Sequence, residues 1–189
     1  MHFVLVIILL VVSGIANAAT VTLDFDHLDA NTTPTSVNED GFLLTTNEIY
    51  FIVSSDPTGP SGDKTLNSTA GGSYFISQES GAAFDLVSLD AIEWQQDPYA
   101  GTNPTRVLGT CAAGGQIELV LPIPDSLVWS SVLFDSAWSD LSSIEIIAGG
   151  NSGFILDDVV LTAVPVPAAV WLFGSALAGL GWVRRKQAA

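Results

Sequence analysis

From Thr20 to Ala163 the chain is a succession of short apolar runs broken by turn residues. Val21-Thr22-Leu23-Asp24-Phe25-Asp26 alternates apolar with polar, Gln116 to Leu121 does so in part, and Ser143-Ile144-Glu145-Ile146-Ile147 keeps the same two-residue period. That period sends successive side chains to opposite faces of a pleated strand. Further runs at Gly41 to Thr46, Ile49 to Ser54, Ser73 to Ser77, Phe84 to Leu89, Ala91 to Gln95, Val128 to Phe134 and Phe154 to Leu161 bring the expected set to about ten strands. Gly, Pro, Asn, Asp and Ser bound them. The apolar period of a helix is missing from this region. The pattern therefore predicts an all-β domain, an antiparallel β-sandwich of jelly-roll-like layout.

The two ends follow a different pattern. Phe3 to Val12 is an unbroken run of ten apolar residues, followed by Ser13-Gly14 and then Ala16-Asn17-Ala18. Small residues at Ala16 and Ala18 fit a signal-peptidase site, so residues 1–18 read as a signal peptide handled by the Sec translocon. Its start carries His2 but no Lys or Arg. At the other end no residue from Val164 to Val183 is charged, and Arg184-Arg185-Lys186 follows. Residues 168–183, taken as helix, rise about 24 Å against a hydrocarbon core of roughly 30 Å. Trp171 and Trp182 suit its interfaces, and the basic stop should stay cytoplasmic. Residues 19–163 are then an exported domain, and residues 164–189 a terminal signal with a single pass through the inner membrane.

Charge sharpens this division. The chain has 189 residues with 20 Asp and Glu against 5 Lys and Arg. All 20 acidic residues fall between Asp24 and Asp158, where Lys64 and Arg106 are the only basic ones, a net of −18 for the exported part. An anionic domain of this kind does not bind nucleic acid, which demands clustered Lys and Arg. One Cys excludes an intrachain disulfide and a Cys-rich zinc site.

The C-terminal residues resemble a bacterial sorting signal. A short Pro-containing motif, one hydrophobic helix and a terminal basic cluster form the tripartite tail of the PEP-CTERM family, and Val164-Pro165-Val166-Pro167-Ala168-Ala169 is similar to its Val-Pro-Leu-Pro-Ala variant. Val166 stands where the commonest form of the family has Glu. The resemblance implies export by a bacterium that makes exopolysaccharide, and recognition of the tail by an exosortase, a membrane-embedded cysteine transpeptidase. It further implies cleavage near the motif and passage to the cell surface or extracellular matrix. The middle also resembles a β-sandwich common among such proteins. It has a Phe-Asp strand after the signal peptide, Gly41-Phe42, Phe84-Asp85-Leu86-Val87-Ser88, and a last strand Phe154-Ile155-Leu156-Asp157-Asp158-Val159-Val160-Leu161.

Candidate chemistry is sparse. His27 is the sole histidine outside the signal peptide and Cys111 the sole thiol, and nothing in the sequence assembles them into a nucleophile and base. Cys111, in Gly109-Thr110-Cys111-Ala112, reads as a small apolar residue or as half of an intermolecular disulfide. Trp94, Tyr99, Trp129 and Trp138 are core or ligand platforms. The loops at Asp56 to Asp63 and Asp97 to Pro104 are where a ligand site could sit.

The last strand holds the most informative constellation. With strict alternation Phe154, Leu156 and Val160 share a face with Asp158, while Ile155, Val159 and Leu161 share the other with Asp157. A buried carboxylate needs a neutralising partner, and the exported part has two basic residues. Asp24 and Asp26 point away from Leu23 and Phe25 on the first strand, which in jelly rolls often lies beside the last. The expectation is a structural Ca2+ site drawn from Asp24, Asp26, Asp157 and Asp158. Backbone hydrogen bonding by the same Asp side chains is the alternative. For the mature domain the expected role is a binding or structural module, not an enzyme, associated with exopolysaccharide and calcium-dependent. A carboxylate-pair glycoside hydrolase and a matrix protein without a specific ligand are the alternatives.

Overall fold

A computed structural model describes residues 18–28, 35–48, 52–55, 64–95, 104–123, 128–150 and 152–163. All of them belong to one compact unit, Ala18–Val164. The signal segment up to residue 17, the loops 56–63 and 97–103, Tyr99 and the tail from Val164 lie outside the described residues, as do the side chains of Trp94 and Gln95.

Twelve strands are present among the described residues: β1 (Ala19–Leu23), β2 (Ser36–Glu39), β3 (Phe42–Thr46), β4 (Ile52–Ser55), β5 (Lys64–Asn67), β6 (Ser73–Gln78), β7 (Phe84–Gln95), β8 (Arg106–Cys111), β9 (Gln116–Val120), β10 (Ser130–Leu133), β11 (Leu141–Ile147) and β12 (Ser152–Ala163). Every pairing is antiparallel. One layer runs β2-β3-β6-β11-β8-β9. The other is built on the long pair β7 and β12, with β10 beside β7 and with β1, β5 and β4 beyond β12. A single bridge, Leu141 to Phe84, joins the two layers. The chain alternates between layers almost element by element, which gives the antiparallel β-sandwich its jelly-roll character.

Alternation along the strands supplies the core. Phe42, Leu44, Tyr74, Ile76, Val107, Ile144 and Ile146 from the first layer meet Leu23, Leu66, Phe84, Leu86, Leu89, Phe154, Leu156, Val159 and Leu161 from the second. Two aromatic pairs cross the interface edge to face: Phe42 with Phe84 at 5.3 Å and Tyr74 with Phe154 at 5.6 Å. Full burial of each such side chain contributes about 1.5–3 kcal/mol. The Tyr74 hydroxyl donates to the Asn67 carbonyl, so its polar end is satisfied.

Three strands, β2, β5 and β8, have no counterpart in the sequence prediction, and Phe84 to Leu89 and Ala91 to Gln95 are one strand, not two. One turn of 3-10 helix, Ser136–Trp138, opens with Asp135 accepting from the Ala137 N–H. The predicted faces of the last strand need correction. Phe154 and Leu156 are buried as expected, but Asp157, Val159 and Leu161 are buried too, while Asp158 and Val160 are half-buried. Paired irregularities are the reason: β12 has one extra residue relative to β7 between Asp157 and Val160, where Asp158 takes φ 44°, and β7 has one extra between Leu86 and Ser88, so the ladder regains its register while both strands change the face they bury. Beyond a one-residue insertion every side chain changes face. At the same point the outer neighbour of β12 changes from β5 (at Ile155 and Leu156) to β1 (from Val159 onward).

Candidate metal centre

The junction where β5 gives way to β1 collects the carboxylates. β1 ends at Leu23, opposite Val159. Asp24 and Phe25 follow, Phe25 fully buried at φ 59°, and the Leu28 N–H donates to the Phe25 carbonyl at 3.0 Å to close a tight turn. A left-handed conformation is costly for a bulky residue and persists only when its surroundings hold it. Glu39 does the holding. Its Oε1 accepts from the backbone N–H of both Asp24 and Phe25 at 3.0 Å, while Asp24 Oδ1 accepts from the Asp26 N–H at 3.1 Å.

Glu39 reaches this position because of a hairpin. It pairs with Phe42 across the two-residue turn Asp40-Gly41, whose φ values of 47° and 83° are both positive. Asp-Gly is the preferred sequence for that turn type, and it aims the Glu39 side chain, 5% exposed, under the β1 turn. His27 Nδ1 lies 3.8 Å from Glu39 Oε1. One ligand atom from each of Asp24, His27 and Glu39 falls within 4.8 Å of the others. The second Glu39 oxygen, Oε2, is buried and has no hydrogen-bond partner. Burial drives the Glu39 carboxyl up to about 7, against the two N–H donors, and the charges of Asp24 and Asp40 push the same way.

Asp158 completes the anionic junction. Its carboxyl is raised, first by burial, then by the charges of Asp90, Asp24 and Asp26. So Asp24, Asp26 and Asp158 share one neighbourhood, with Asp90 of β7 added to it. Asp157 is used differently: fully buried and opposite Asp90 in the ladder, it accepts from the Asp158 N–H at 2.9 Å through Oδ1, the backbone role that was the alternative to metal binding. Asp26 Oδ1 likewise accepts from the Lys64 N–H at 3.1 Å. The Lys64 ammonium is turned to the Leu28 carbonyl, and Arg106 pairs with Glu118 at 3.4 Å. Among the described residues, neither Lys64 nor Arg106 forms an ion pair with Asp24, Asp26, Glu39 or Asp158.

Sequence reading named Asp24, Asp26, Asp157 and Asp158 as candidate ligands; of these only Asp24 belongs to the cluster with His27 and Glu39, and the reading did not name Glu39 and left His27 without a role. The Asp40-Gly41 dipeptide was the available signal: it marks a hairpin, and hence a strand ending at Glu39. Other candidates sit elsewhere. Trp138 is core, packed edge to face on Phe134 at 4.8 Å, and Cys111 is half-buried against the core. A separate open cleft of about 300 Å3 is lined by Pro104, Arg106, Glu118, Val120 and Ala148 to Gly150. No helix among the described residues is long and apolar enough to cross a membrane.

No curated protein sequence matches the chain. Among solved structures it is similar to a family 29 carbohydrate-binding module solved with mannohexaose, with a TM-score of 0.46, 14% identity, and coverage of 77% of this chain and 92% of that one. A family 32 module from C. perfringens NanJ, solved with galactose, is similar with a TM-score of 0.38, 16% identity, and coverage of 67% and 98%. Residues 163–186 match the PEP-CTERM protein-sorting motif. That motif implies export, a membrane-anchored precursor and handling by an exosortase-type system. The chain is thus an antiparallel β-sandwich that carries the PEP-CTERM protein-sorting motif at its C-terminal end.

Proposed function

We propose that the chain is a cell-surface or extracellular-matrix protein whose mature sandwich is a non-catalytic binding or structural module. The Sec translocon exports it after the signal peptide is cut behind Ala18, and residues 168–183 hold the precursor in the inner membrane with Arg184, Arg185 and Lys186 inside. An exosortase then cuts near Val164 to Pro167. The carrying observation is the position of the sorting motif, which begins at residue 163, where the final strand ends. Cleavage just beyond that point leaves every described strand of the sandwich intact.

The charge of the exported part supports the finer reading. A net of −18 repels anionic polymers unless divalent cations bridge the two, so the sandwich joins an acidic exopolysaccharide through Ca2+. Two measurements test this reading. Mass spectrometry of the protein from native envelope should find the mature C-terminus within or close to residues 164–167, and an intact tail on the mature protein defeats the sorting step. Retention on an acidic polysaccharide should saturate with Ca2+ and vanish with chelator; retention indifferent to both defeats the bridging.

A further inference from the structure

We propose that Asp24, His27 and Glu39 form a built site for a divalent metal ion of the zinc class, pinning the turn after β1 to the β2–β3 hairpin. This inference stands apart from the polysaccharide reading and does not depend on it. Three observations carry it. The ligand atoms converge within 4.8 Å of one another. Glu39, with its side chain 5% exposed, presents Oε2 with no hydrogen-bond partner, although buried polar atoms are nearly always satisfied. Finally, neither Lys64 nor Arg106, the basic residues of the exported part, forms an ion pair with this group.

Donor chemistry selects the metal. One imidazole nitrogen and two carboxylates suit Zn2+, which accepts both at about 2.0–2.2 Å, better than Ca2+, which takes six to eight oxygens. Glu39 Oε1 lies 3.8 Å from His27 Nδ1 and accepts from the Asp24 and Phe25 N–H groups, so a small turn of the carboxylate has to bring Oε2 to the ion while Oε1 keeps the two N–H groups. The ligand atoms have to draw in by about an ångström to reach such bond lengths. His27, on an exposed turn with its side chain 48% exposed, is free to make that movement. Three protein ligands leave the fourth position to water.

The test uses the untagged full chain in detergent, stripped with chelator and titrated with Zn2+ and, separately, with Ca2+. Zn2+ should bind one to one and raise the melting temperature by roughly 5 °C at saturation. Co2+ in its place should give a visible d–d absorption band whose intensity reports a four-coordinate site. His27→Ala removes a side chain that no main-chain contact needs; it should melt as the wild type without metal, lose the Co2+ band and weaken Zn2+ binding by more than about tenfold. Glu39→Gln should abolish binding, and Cys111→Ser should leave it unchanged. Absence of saturable Zn2+ binding overturns the proposal. So does Zn2+ binding of undiminished affinity in His27→Ala, or Ca2+ binding that depends on Asp158 and not on His27, the pattern of a calcium site formed by Asp24, Asp26 and Asp158.

Discussion

Glu39 Oε1 holds two main-chain amides while Oε2 of the same carboxyl has no hydrogen-bond partner, and the proton that settles this arrangement is measurable. In the folded, metal-free protein the carboxyl titrates at about 7, against 4.5 without its surroundings. The folded state therefore binds more protons than the unfolded chain between those values. The sign follows: the contribution is complete below pH 4.5 and is lost as pH climbs through about 7. With chelator present, stability in urea should fall between pH 5 and pH 7.5, by up to about 3 kcal/mol for a shift of this size. Glu39→Gln should flatten the profile; a wild-type stability that climbs across this window contradicts the assignment. The same residue shows what sequence could and could not reveal. Burial of a Glu at the end of a four-residue strand has no periodic signature, and only the Asp40-Gly41 turn beside it betrays the hairpin.

At the scale of elements, the bulge in β12 decides which carboxylates meet. Asp158 sits at φ 44°, a conformation natural to Gly and unfavourable for most side chains. Asp158→Gly removes both this strain and a charge repelled by Asp90, Asp24 and Asp26, and should raise metal-free stability by about 1 kcal/mol. Asp158→Val, β-branched in the same conformation, should lower it by at least as much. Guanidinium melts of the two variants check the pair, and stabilisation by both would refute strain at this position. Alternation predicted β3 and β6, which pair with each other in unbroken register, and it found β11 and both parts of β7 although each carries a register shift. It failed along β12 because one inserted residue reverses inside and outside without any mark in the polarity pattern. It also missed β5 and β8, whose Lys64-Thr65-Leu66-Asn67 and Arg106-Val107-Leu108-Gly109 segments owe their extended form to neighbours, β12 and β11, far away in sequence.

The whole molecule concentrates negative charge on a sandwich with few counter-charges. Self-repulsion of this kind is screened by salt. Calorimetry of the metal-free protein should therefore show a melting temperature that rises by a few degrees when NaCl goes from about 0.02 M to 0.3 M. A fall over that range would mean that attractive pairs such as Arg106 with Glu118 outweigh the repulsion. The pairing of Ala19 with Ala163 has a kinetic consequence as well. Among the described strands the first to emerge from synthesis finds its ladder partner in the last, and contacts of such long sequence separation are the slowest to form. Until β12 arrives, β1 has no strand to zip onto, whereas β2, β3, β6, β8, β9 and β11 pair among themselves, so it is the second layer that stays open until then. Closure of the second layer is in this way deferred to the arrival of β12, and the turn at Phe25 is among the last pieces to set.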